Sequence, residues 1–354
     1  MKSELVERIA SALLYEGYIL YPYRPSAIKN RQRWNFGVLY PESYCLAEAG
    51  TDASSMQTEC LALASAQTTI DVKIRFLHLL ARDVAVLVGS PLDATEPVET
   101  SYRVVDSLEV GDQVFHTWQE AVEREVSAQK IALSEIAAEP LRLKFTFPAS
   151  RHAEPLRDKS GHMAGALIRK QECVEGELEV RASRAGEELF KLTVRVLNLT
   201  LFDETGKRSR DEALMRSLVS THTILSVREG EFISLLDPPE AYVEAAGLCR
   251  NMGTWPVLVG EEGERDSMLS SPIIIYDYPQ VAPESAGDLF DSTEIDEILM
   301  LRIMTLTDEE KREMRQVDDR SRKILERTES LPAEHFMKMH GAVRSLRPIE
   351  KDER

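Results

Sequence analysis

Alternating apolar and polar residues predict most of the strands in this chain. Ile70–His78 has an apolar or ring side chain at every second position, and Leu141–Phe147 repeats that pattern over LRLKFTF. Because successive side chains of a strand point to opposite faces, this period of two predicts half-buried antiparallel strands. Glu177–Ala182 and Phe190–Leu201 flank a short stretch with a glycine, so we expect them to form a hairpin.

Four other segments are predicted from shorter patterns. Trp255–Val259 and Ile273–Tyr276 are short apolar runs bounded by glycine or proline, which is typical of buried strands. Glu229-Gly230 lies between two apolar arms and predicts the turn of a second hairpin. Thr117–Ala128 has apolar residues three and four positions apart and therefore predicts a helix.

Helices are also predicted towards the two ends of the chain and at one internal site. Residues 3–15 carry apolar side chains at helical spacing, which indicates an amphipathic helix. Ser209 and Thr307 each precede a glutamate by three positions, the spacing of a capping box at a helix start. From residue 291 onward the helical segments have narrow apolar stripes. Such helices either pack against the body or bind another protein, and the sequence leaves both possibilities open.

Together these elements predict an α+β protein with an antiparallel β-sandwich-rich body and a C-terminal helical tail. The length of 354 residues favours two or three modules. We expect an N-terminal α+β module at 1–135, a β-sandwich-rich module with an acidic loop belt at 136–290, and the helical tail at 291–354.

The charge of the chain is strongly negative and unevenly distributed. The chain has 60 acidic and 43 basic residues, which gives a formal net charge of -17. Eleven of the acids lie between Glu261 and Glu297, where Arg265 is the one base, and this segment is called the acidic belt. Because a field of this sign repels phosphate backbones, nucleic acid is not expected as a partner.

Positive charge collects in the basic aromatic segment Tyr21–Trp34, which contains no acid. Its aromatic and basic residues are Tyr21, Tyr23, Arg24, Lys29, Arg31, Arg33 and Trp34. These residue types are enriched at interface hot spots, so one interpretation is a docking surface for a protein partner. With Glu264, Arg265 and Asp266 of the acidic belt, they are the partner-binding candidates. The other interpretation is that the arginines pair internally with the acidic belt.

The sequence contains no motif that identifies an enzyme. Glycine-rich phosphate loops, zinc-protease motifs, nucleophile elbows and calcium loops are all absent from it. Ser270, Ser271 and His222 are the residue types of a nucleophile and its base, but a chain of this length permits such a combination by chance. No catalytic residue is therefore predicted. His78 lies on the apolar phase of its strand, so we expect a core histidine rather than a ligand.

The remaining chemistry favours a cytoplasmic protein without a cofactor. His152, His162 and Cys173 are close in sequence, yet their spacing matches no metal-binding motif, so neither a metal nor another cofactor is predicted. The four cysteines form no C-x-x-C pair, which favours reduced thiols and a cytoplasmic location. No apolar run has the length of a transmembrane helix, and no signal peptide is predicted.

Three stretches of the chain resemble a known family. They are LYEGYILYPYRPSAIKNRQRWNFG, GTWPVLVGEEGERDSMLSSPIIIYDYPQVAPESAGDLFDSTEIDEIL and MTLTDEEKREM. The family consists of uncharacterised bacterial proteins of similar length, often encoded beside nickel-iron hydrogenase structural and accessory genes. The resemblance covers nearly the whole chain and implies an accessory or assembly role in nickel-iron hydrogenase biogenesis. A hydrogenase subunit or accessory protein is the partner that it implies.

The function expected from the sequence is that of a non-enzymatic accessory or assembly protein that binds a protein partner. Docking-type residues are present, whereas catalytic motifs are missing. The alternative is a hydrolytic or metal-handling enzyme that uses carboxylates of the acidic belt.

Overall fold

A computed structural model describes residues 2–16, 18, 24, 33–48, 50–87, 102–111, 113–202, 209–280, 302–317 and 319–330. The helices are α1 (Lys2–Leu14), α2 (Glu42–Glu48), α3 (Leu133–Ala138), α4 (Arg210–Leu214), α5 (Val243–Gly247), α6 (Asp308–Val317) and α7 (Asp319–Ser330), and a 3-10 turn at Glu240–Tyr242 precedes α5. The strands are β1 (Ser55–Leu87), β2 (Tyr102–Val105), β3 (Ser107–Val110), β4 (Gln113–His116), β5 (Trp118–Ala132), β6 (Leu141–Phe147), β7 (Ser150–Arg157), β8 (Met163–Gln171), β9 (Val174–Arg184), β10 (Leu189–Asn198), β11 (Val219–Ile233), β12 (Trp255–Leu258) and β13 (Ser267–Ser271).

The sheet is organised around β1, a strand of 33 residues. Along one edge β1 pairs in turn with β10, β5 and β2, and along the other edge with β11 and β8, always antiparallel. The sheet continues through β9 and β6 beyond β10, and through β13 and β12 beyond β11, while β7 pairs with β8. The result is one eleven-stranded antiparallel sheet, accompanied by the two-stranded ladder of β3 and β4.

The inner face of β1 forms the centre of the main core. The five alternating side chains of Ile70–His78 that were predicted to share one face are each at most 1% exposed. Long antiparallel strands twist and coil, and Val126 of β5 and Phe145 of β6 pack against the same core from two sides of the curled sheet. Burial of one large apolar side chain stabilises the fold by about 1.5–3 kcal/mol, so this face is a main source of stability.

The outer face of β1 carries a second core. Leu77 and Leu79 pack there with a group of buried aromatic side chains from the N-terminal region and with apolar residues of α4, α6 and α7. Helix α1 covers the neighbouring part of the sheet, where Val6 and Ile9 contact Leu269 of β13. The predicted amphipathic first helix is therefore confirmed, with its apolar side on the sheet.

The strand-rich antiparallel body and the C-terminal helices of the predicted fold class are confirmed, whereas the predicted sandwich is not confirmed. In the described ranges the large strands belong to one curled sheet, and no second large sheet packs on it. β1 lies in the predicted module 1–135 but pairs with β8, β10 and β11 of the predicted module 136–290. The sheet is thus continuous across the predicted boundary.

The helix predicted at Thr117–Ala128 is wrong, because this segment belongs to β5. β5 pairs with β1 from Trp118 opposite Arg82 to Ala132 opposite Thr69. The edge of β1 offers a long row of backbone hydrogen-bonding groups, and tertiary pairing of this kind overrides a modest local preference for helix.

The second predicted hairpin is also wrong, because β11 runs through Glu229-Gly230 without turning back. Ala64 of β1 pairs with Gly230 and Thr69 pairs with Arg228. The extra residues of β1 between these two pairs therefore lie opposite the single residue Glu229. Glu229 itself has a left-handed φ of 56°. A β-bulge of this kind bends the ladder while leaving both strands continuous.

The two short apolar runs near the acidic belt have different outcomes. The strand predicted at Trp255–Val259 is confirmed as β12, which pairs with β13. The strand predicted at Ile273–Tyr276 is not formed. Ile274 and Tyr276 are instead 71% and 86% exposed, whereas Ile275 packs against the apolar cluster under α1.

Helices α6 and α7 pack against the body, which answers one question left open by the sequence. Met314, Val317, Ile324 and Leu325 are buried in the outer core. The capping box predicted at Thr307 is present, because its amide and hydroxyl exchange hydrogen bonds with Glu310. The capping box at Ser209 is present as well.

Replacing Ile324 with aspartate is expected to release α6 and α7 from the body. An unpaired carboxylate at this buried position costs several kcal/mol, which is comparable to the packing energy of two short helices. Trypsin should then cleave the 302–330 region much faster than in the unaltered protein. Met304→Asp, which makes a comparable change at an exposed apolar position of the same region and removes no trypsin site, is the control. Equal cleavage rates for both variants would contradict the packing of α7 described above.

Candidate functional site

The basic aromatic segment lies only in part within the described residues. Four of its candidates lie outside them: Tyr21, Tyr23, Lys29 and Arg31. Arg24 Nη1 is 3.0 Å from Glu310 Oε1 and 3.8 Å from Glu313 Oε2. These ion pairs join Arg24 to α6, which is an acidic helix outside the acidic belt.

Arg33 and Trp34 face the interior of the protein. Their exposed fractions are 5% and 4%. The Arg33 guanidinium carbon lies 3.7 Å from the ring centroid of Trp118 and 4.6 Å from that of Trp34. Arg33 also donates hydrogen bonds to the carbonyl oxygens of Tyr18 at 3.0 Å and Gln119 at 2.8 Å. These contacts describe a buried cation held between aromatic rings, whereas a docking surface requires exposed side chains.

The candidates Glu264, Arg265 and Asp266 of the acidic belt lie in a turn beside the sheet. The backbone amide of Phe232 in β11 donates to the Arg265 carbonyl oxygen at 2.7 Å. The Tyr278 hydroxyl donates to the Glu264 carbonyl oxygen at 3.0 Å. The turn is therefore fastened through its backbone, and its half-exposed carboxylates also accept hydrogen bonds, Glu264 from the Glu261 amide at 3.1 Å and Asp266 from the Ser267 hydroxyl at 3.0 Å. The belt acids at 284, 288, 291, 294, 296 and 297 lie outside the described residues.

Asp277 is the belt carboxylate with the clearest structural role. Its Oδ2 accepts a hydrogen bond from the Ser234 hydroxyl at 2.5 Å, and its Oδ1 accepts one from the Leu258 amide at 2.7 Å. Asp277 thus ties the segment that contains Ile274 and Tyr276 to the ends of β11 and β12.

Large apolar side chains are exposed at the start of β12 and on the segments that follow β11 and β13, and together they are called the apolar surface. Its members are Leu236, Val243, Leu248, Met252, Trp255, Ile274 and Tyr276, with exposed fractions from 42% to 86%. Asp277, bonded to Ser234, joins the two chain segments that carry Leu236 and Tyr276. Below them α5 packs on buried residues of β1, β10 and β11. The backbone under the apolar surface is therefore well anchored, while its side chains point outward.

Sequence reasoning missed the apolar surface for a physical reason. A short run of isoleucines and a tyrosine looks the same in sequence whether it faces a core or a partner. The one available signal was Pro272 directly before the run, because proline cannot donate a hydrogen bond to a sheet.

Ser271 and His222 come together but do not form an active site. Ser271 Oγ and His222 Nε2 are 3.2 Å apart, a distance suited to a nucleophile and its base. Both residues are completely buried, and His222 Nδ1 is 2.6 Å from the Ser220 carbonyl oxygen. Ser270 is equally buried and bonds with two threonine hydroxyls. Burial lowers the pKa of His222 to about 4, so the imidazole is also a poor base at neutral pH.

His78 is a buried core histidine, as predicted. Its Nε2 lies 2.9 Å from the Glu172 carbonyl oxygen. Burial, assisted by the positive charge of Arg124, lowers the pKa of His78 to about 4. The imidazole is therefore neutral at physiological pH and acts as part of the core.

The described ranges contain neither a cluster of metal ligands nor a membrane-spanning helix. Within them no three His, Cys, Asp or Glu side chains come together in a way that could hold a metal ion. None of the described helices is both long and apolar enough to cross a membrane. All four cysteines are free thiols.

Comparison with known proteins adds no relative to this picture. The chain matches no protein-family model and no curated protein.

Proposed function

We propose that this chain is a non-enzymatic accessory protein that binds a protein partner through the apolar surface. The observation that carries this proposal is the exposure of seven large apolar side chains between Leu236 and Tyr276, on segments that hydrogen bonds of Asp277 and packing of α5 tie to the sheet. Large exposed apolar patches are uncommon on monomeric proteins and typically mark interaction sites. Three of its members, Tyr276, Trp255 and Met252, belong to residue types that are enriched in interface centres.

The charge around the apolar surface supports a basic partner. Asp237, Glu240 and Glu244 lie on the same segments as its apolar members, and the turn with Glu264 and Asp266 is fastened to Tyr278, two residues from Tyr276. An apolar centre with an acidic rim fits a partner that has an apolar patch surrounded by lysine and arginine. Complementary rims of this kind set orientation and association rate more than affinity.

The resemblance to the family encoded beside nickel-iron hydrogenase genes suggests what the partner is. We propose that the partner is a hydrogenase subunit or a hydrogenase accessory protein and that binding takes place in the cytoplasm. The resemblance alone supports this choice of partner, whereas the apolar surface supports binding as such.

The hydrolytic or metal-handling alternative has less support. Asp277, a belt carboxylate within the described residues, binds a hydroxyl and a backbone amide of its own chain. The Ser271 and His222 pair has no route to a substrate because both residues are completely buried.

The partner-binding proposal predicts that Ile274→Ser combined with Tyr276→Ser reduces partner capture by about tenfold or more, because central apolar contacts dominate interface energies. The free energy of unfolding should stay within about 0.5 kcal/mol of the unaltered value, since both side chains already face solvent. Tagged protein in native lysate of the source cells, with quantitative mass spectrometry of bound proteins, measures the change.

The matched control is Leu46→Ser with Leu201→Ser, which removes two exposed leucines from other elements of the fold. Capture that falls equally in both double variants would contradict a specific role for the apolar surface. A captured partner unrelated to hydrogenases would overturn the proposed identity of the partner. It would not contradict the proposal that the apolar surface binds a protein.

A further inference from the structure

A cavity of about 450 Å³ lies between the sheet and the C-terminal helices. Its walls come from β1, β4, β5 and β8 on one side and from α6 and α7 on the other. Five arginines line it: Arg82, Arg169, Arg315, Arg320 and Arg322. The described lining contains two glutamates, Glu120 and Glu154, so arginines outnumber acids there although acids outnumber bases in the chain as a whole.

Arg82 forms a fixed floor of this arginine cavity. It is 5% exposed, and its Nη1 donates to the Val317 carbonyl oxygen at 2.7 Å and to Glu120 Oε1 at 2.8 Å. Its Nη2 donates to the His116 carbonyl oxygen at 3.1 Å. The bond to Val317 connects the sheet to α6, and the other two hold Arg82 to β5 and β4, so the position of the helix and the shape of the cavity depend on each other.

Arg320 supports the wall from α7. Its guanidinium carbon lies 3.2 Å from the ring centroid of Tyr15, and its Nη2 donates to Glu123 Oε1 at 3.1 Å. Tyr15 donates to the same carboxylate oxygen at 2.6 Å. The cation is thus oriented by an aromatic ring and a shared carboxylate, which preorganises this wall.

Arg169 and Arg315 each have one partly exposed carboxylate partner that an anion can replace. Arg169 Nη1 is 2.7 Å from Glu154 Oε2, whose side chain is half exposed, while Arg169 Nε donates to the largely buried Glu120 at 3.1 Å. Arg315 Nη2 is 2.6 Å from Glu329 Oε2 at the rim, again with both side chains partly in solvent. Ion pairs in contact with solvent stabilise a protein little, so a bound anion can displace these carboxylates without a large loss.

The same cavity has apolar wall residues beside the cations. Phe115 of β4 and Leu167 of β8 belong to one apolar cluster, and the Tyr18 ring forms another part of the lining. Pockets of this size accommodate small organic molecules. Guanidinium groups bind phosphoryl and carboxylate oxygens in a two-pronged geometry.

We propose that the arginine cavity is a binding site for a small organic molecule with two or more phosphoryl or carboxylate groups. Arg169 releases Glu154, Arg315 releases Glu329, and both bind the anionic groups, while Glu120, Arg82 and Arg320 keep the cavity in shape. Because Arg315, Arg320 and Arg322 come from α6 and α7, the bound anion also fastens these helices to the sheet. This proposal is independent of partner binding at the apolar surface.

The test uses the full chain with inorganic pyrophosphate and citrate as probes, at an ionic strength held constant with sodium chloride. Isothermal titration calorimetry should show saturable binding of at least one probe, and the melting temperature should rise with the concentration of that probe. Pyrophosphate alone would assign a phosphoryl ligand, and citrate alone a carboxylate ligand.

Two variants with opposite expected effects make the test specific. Arg169→Gln combined with Arg315→Gln should weaken binding by about tenfold or more, because two charge-assisted contacts are lost. Glu154→Gln should tighten binding by about threefold, because the competing carboxylate at Arg169 is removed. The control Arg142→Gln with Arg228→Gln has the same change of charge at exposed positions on other parts of the sheet, and its affinity should not change.

The proposal is overturned if neither probe binds saturably, or if the control weakens binding as much as the arginine double variant does. It is overturned as well if Glu154→Gln leaves the affinity unchanged or lowers it. This last comparison still decides the question if the arginine double variant fails to fold.

Discussion

Replacing Arg33 with glutamate is expected to destabilise the fold by about 3 kcal/mol or more. The substitution places a carboxylate between the faces of Trp118 and Trp34 and opposite two carbonyl oxygens, all of which favour a cation. Reversing the charge of a buried, hydrogen-bonded group leaves an uncompensated ion in the interior. Urea unfolding followed by tryptophan fluorescence measures the loss.

Arg103→Glu, which makes the same change at an exposed position of β2, is the control and should change stability little. The docking interpretation of the basic aromatic segment implies the opposite result for Arg33, namely an intact fold with weaker partner capture. If Arg33→Glu keeps the stability of the unaltered protein, the buried position of this residue is wrong and the docking interpretation returns.

The protein is expected to lose stability as pH falls from about 6.5 to about 4, because His78 and His222 resist protonation in the folded state. Burial lowers both folded pKa values to about 4, whereas an unfolded histidine has a pKa of about 6.5. Between these values the unfolded state binds more protons than the folded state. Each histidine therefore contributes a slope of about 1.4 kcal/mol per pH unit, with stability complete above pH 6.5.

Single variants should separate the two contributions. His78→Gln keeps a nitrogen near the Glu172 carbonyl oxygen, and His222→Asn keeps one near the Ser220 carbonyl oxygen. Each variant should be less stable at pH 8. Between pH 6.5 and 4.5, its free energy of unfolding should fall less steeply than that of the unaltered protein, by about 1.4 kcal/mol per pH unit. Urea unfolding across this range gives the slopes.

His162→Gln, at a position that is 82% exposed, is the control for this experiment. An unchanged slope in both buried-histidine variants would show that other groups cause the acid sensitivity.

Glu59 titrates in a separate, lower pH range. Although burial opposes it, hydrogen bonds from the Arg250 amide and the Lys191 ammonium group lower the pKa of Glu59, so its stabilisation is lost only below the usual glutamate range.

The arginine cavity and the apolar surface differ in how they depend on sequence. The arginines of the cavity come from positions 82, 169, 315, 320 and 322 and form no local motif. The members of the apolar surface are close in sequence, but their local pattern is equally compatible with burial. Neither feature follows from composition or spacing, because each depends on where the sheet curls and where α6 and α7 pack.

The sequence by itself determined the features that depend on neighbouring residues. The alternation in Ile70–His78 identified the buried face of β1, and LRLKFTF identified β6. Ser209 and Thr307 identified two helix starts, because a capping box needs only a hydroxyl and a glutamate three positions apart. These signals are local, so they hold whatever the rest of the chain does.

Only the tertiary structure decided the features in which distant segments compete for the same backbone or side chain. Trp118–Ala132 became a strand because the edge of β1 was available for pairing, and β11 passed through Glu229 because a bulge absorbed the mismatch with β1. Arg33 became a core residue because Trp118, far along the chain, supplies the ring on which it lies. Long-range pairing and cation–ring contacts depend on three-dimensional proximity, which the local pattern of residues does not contain.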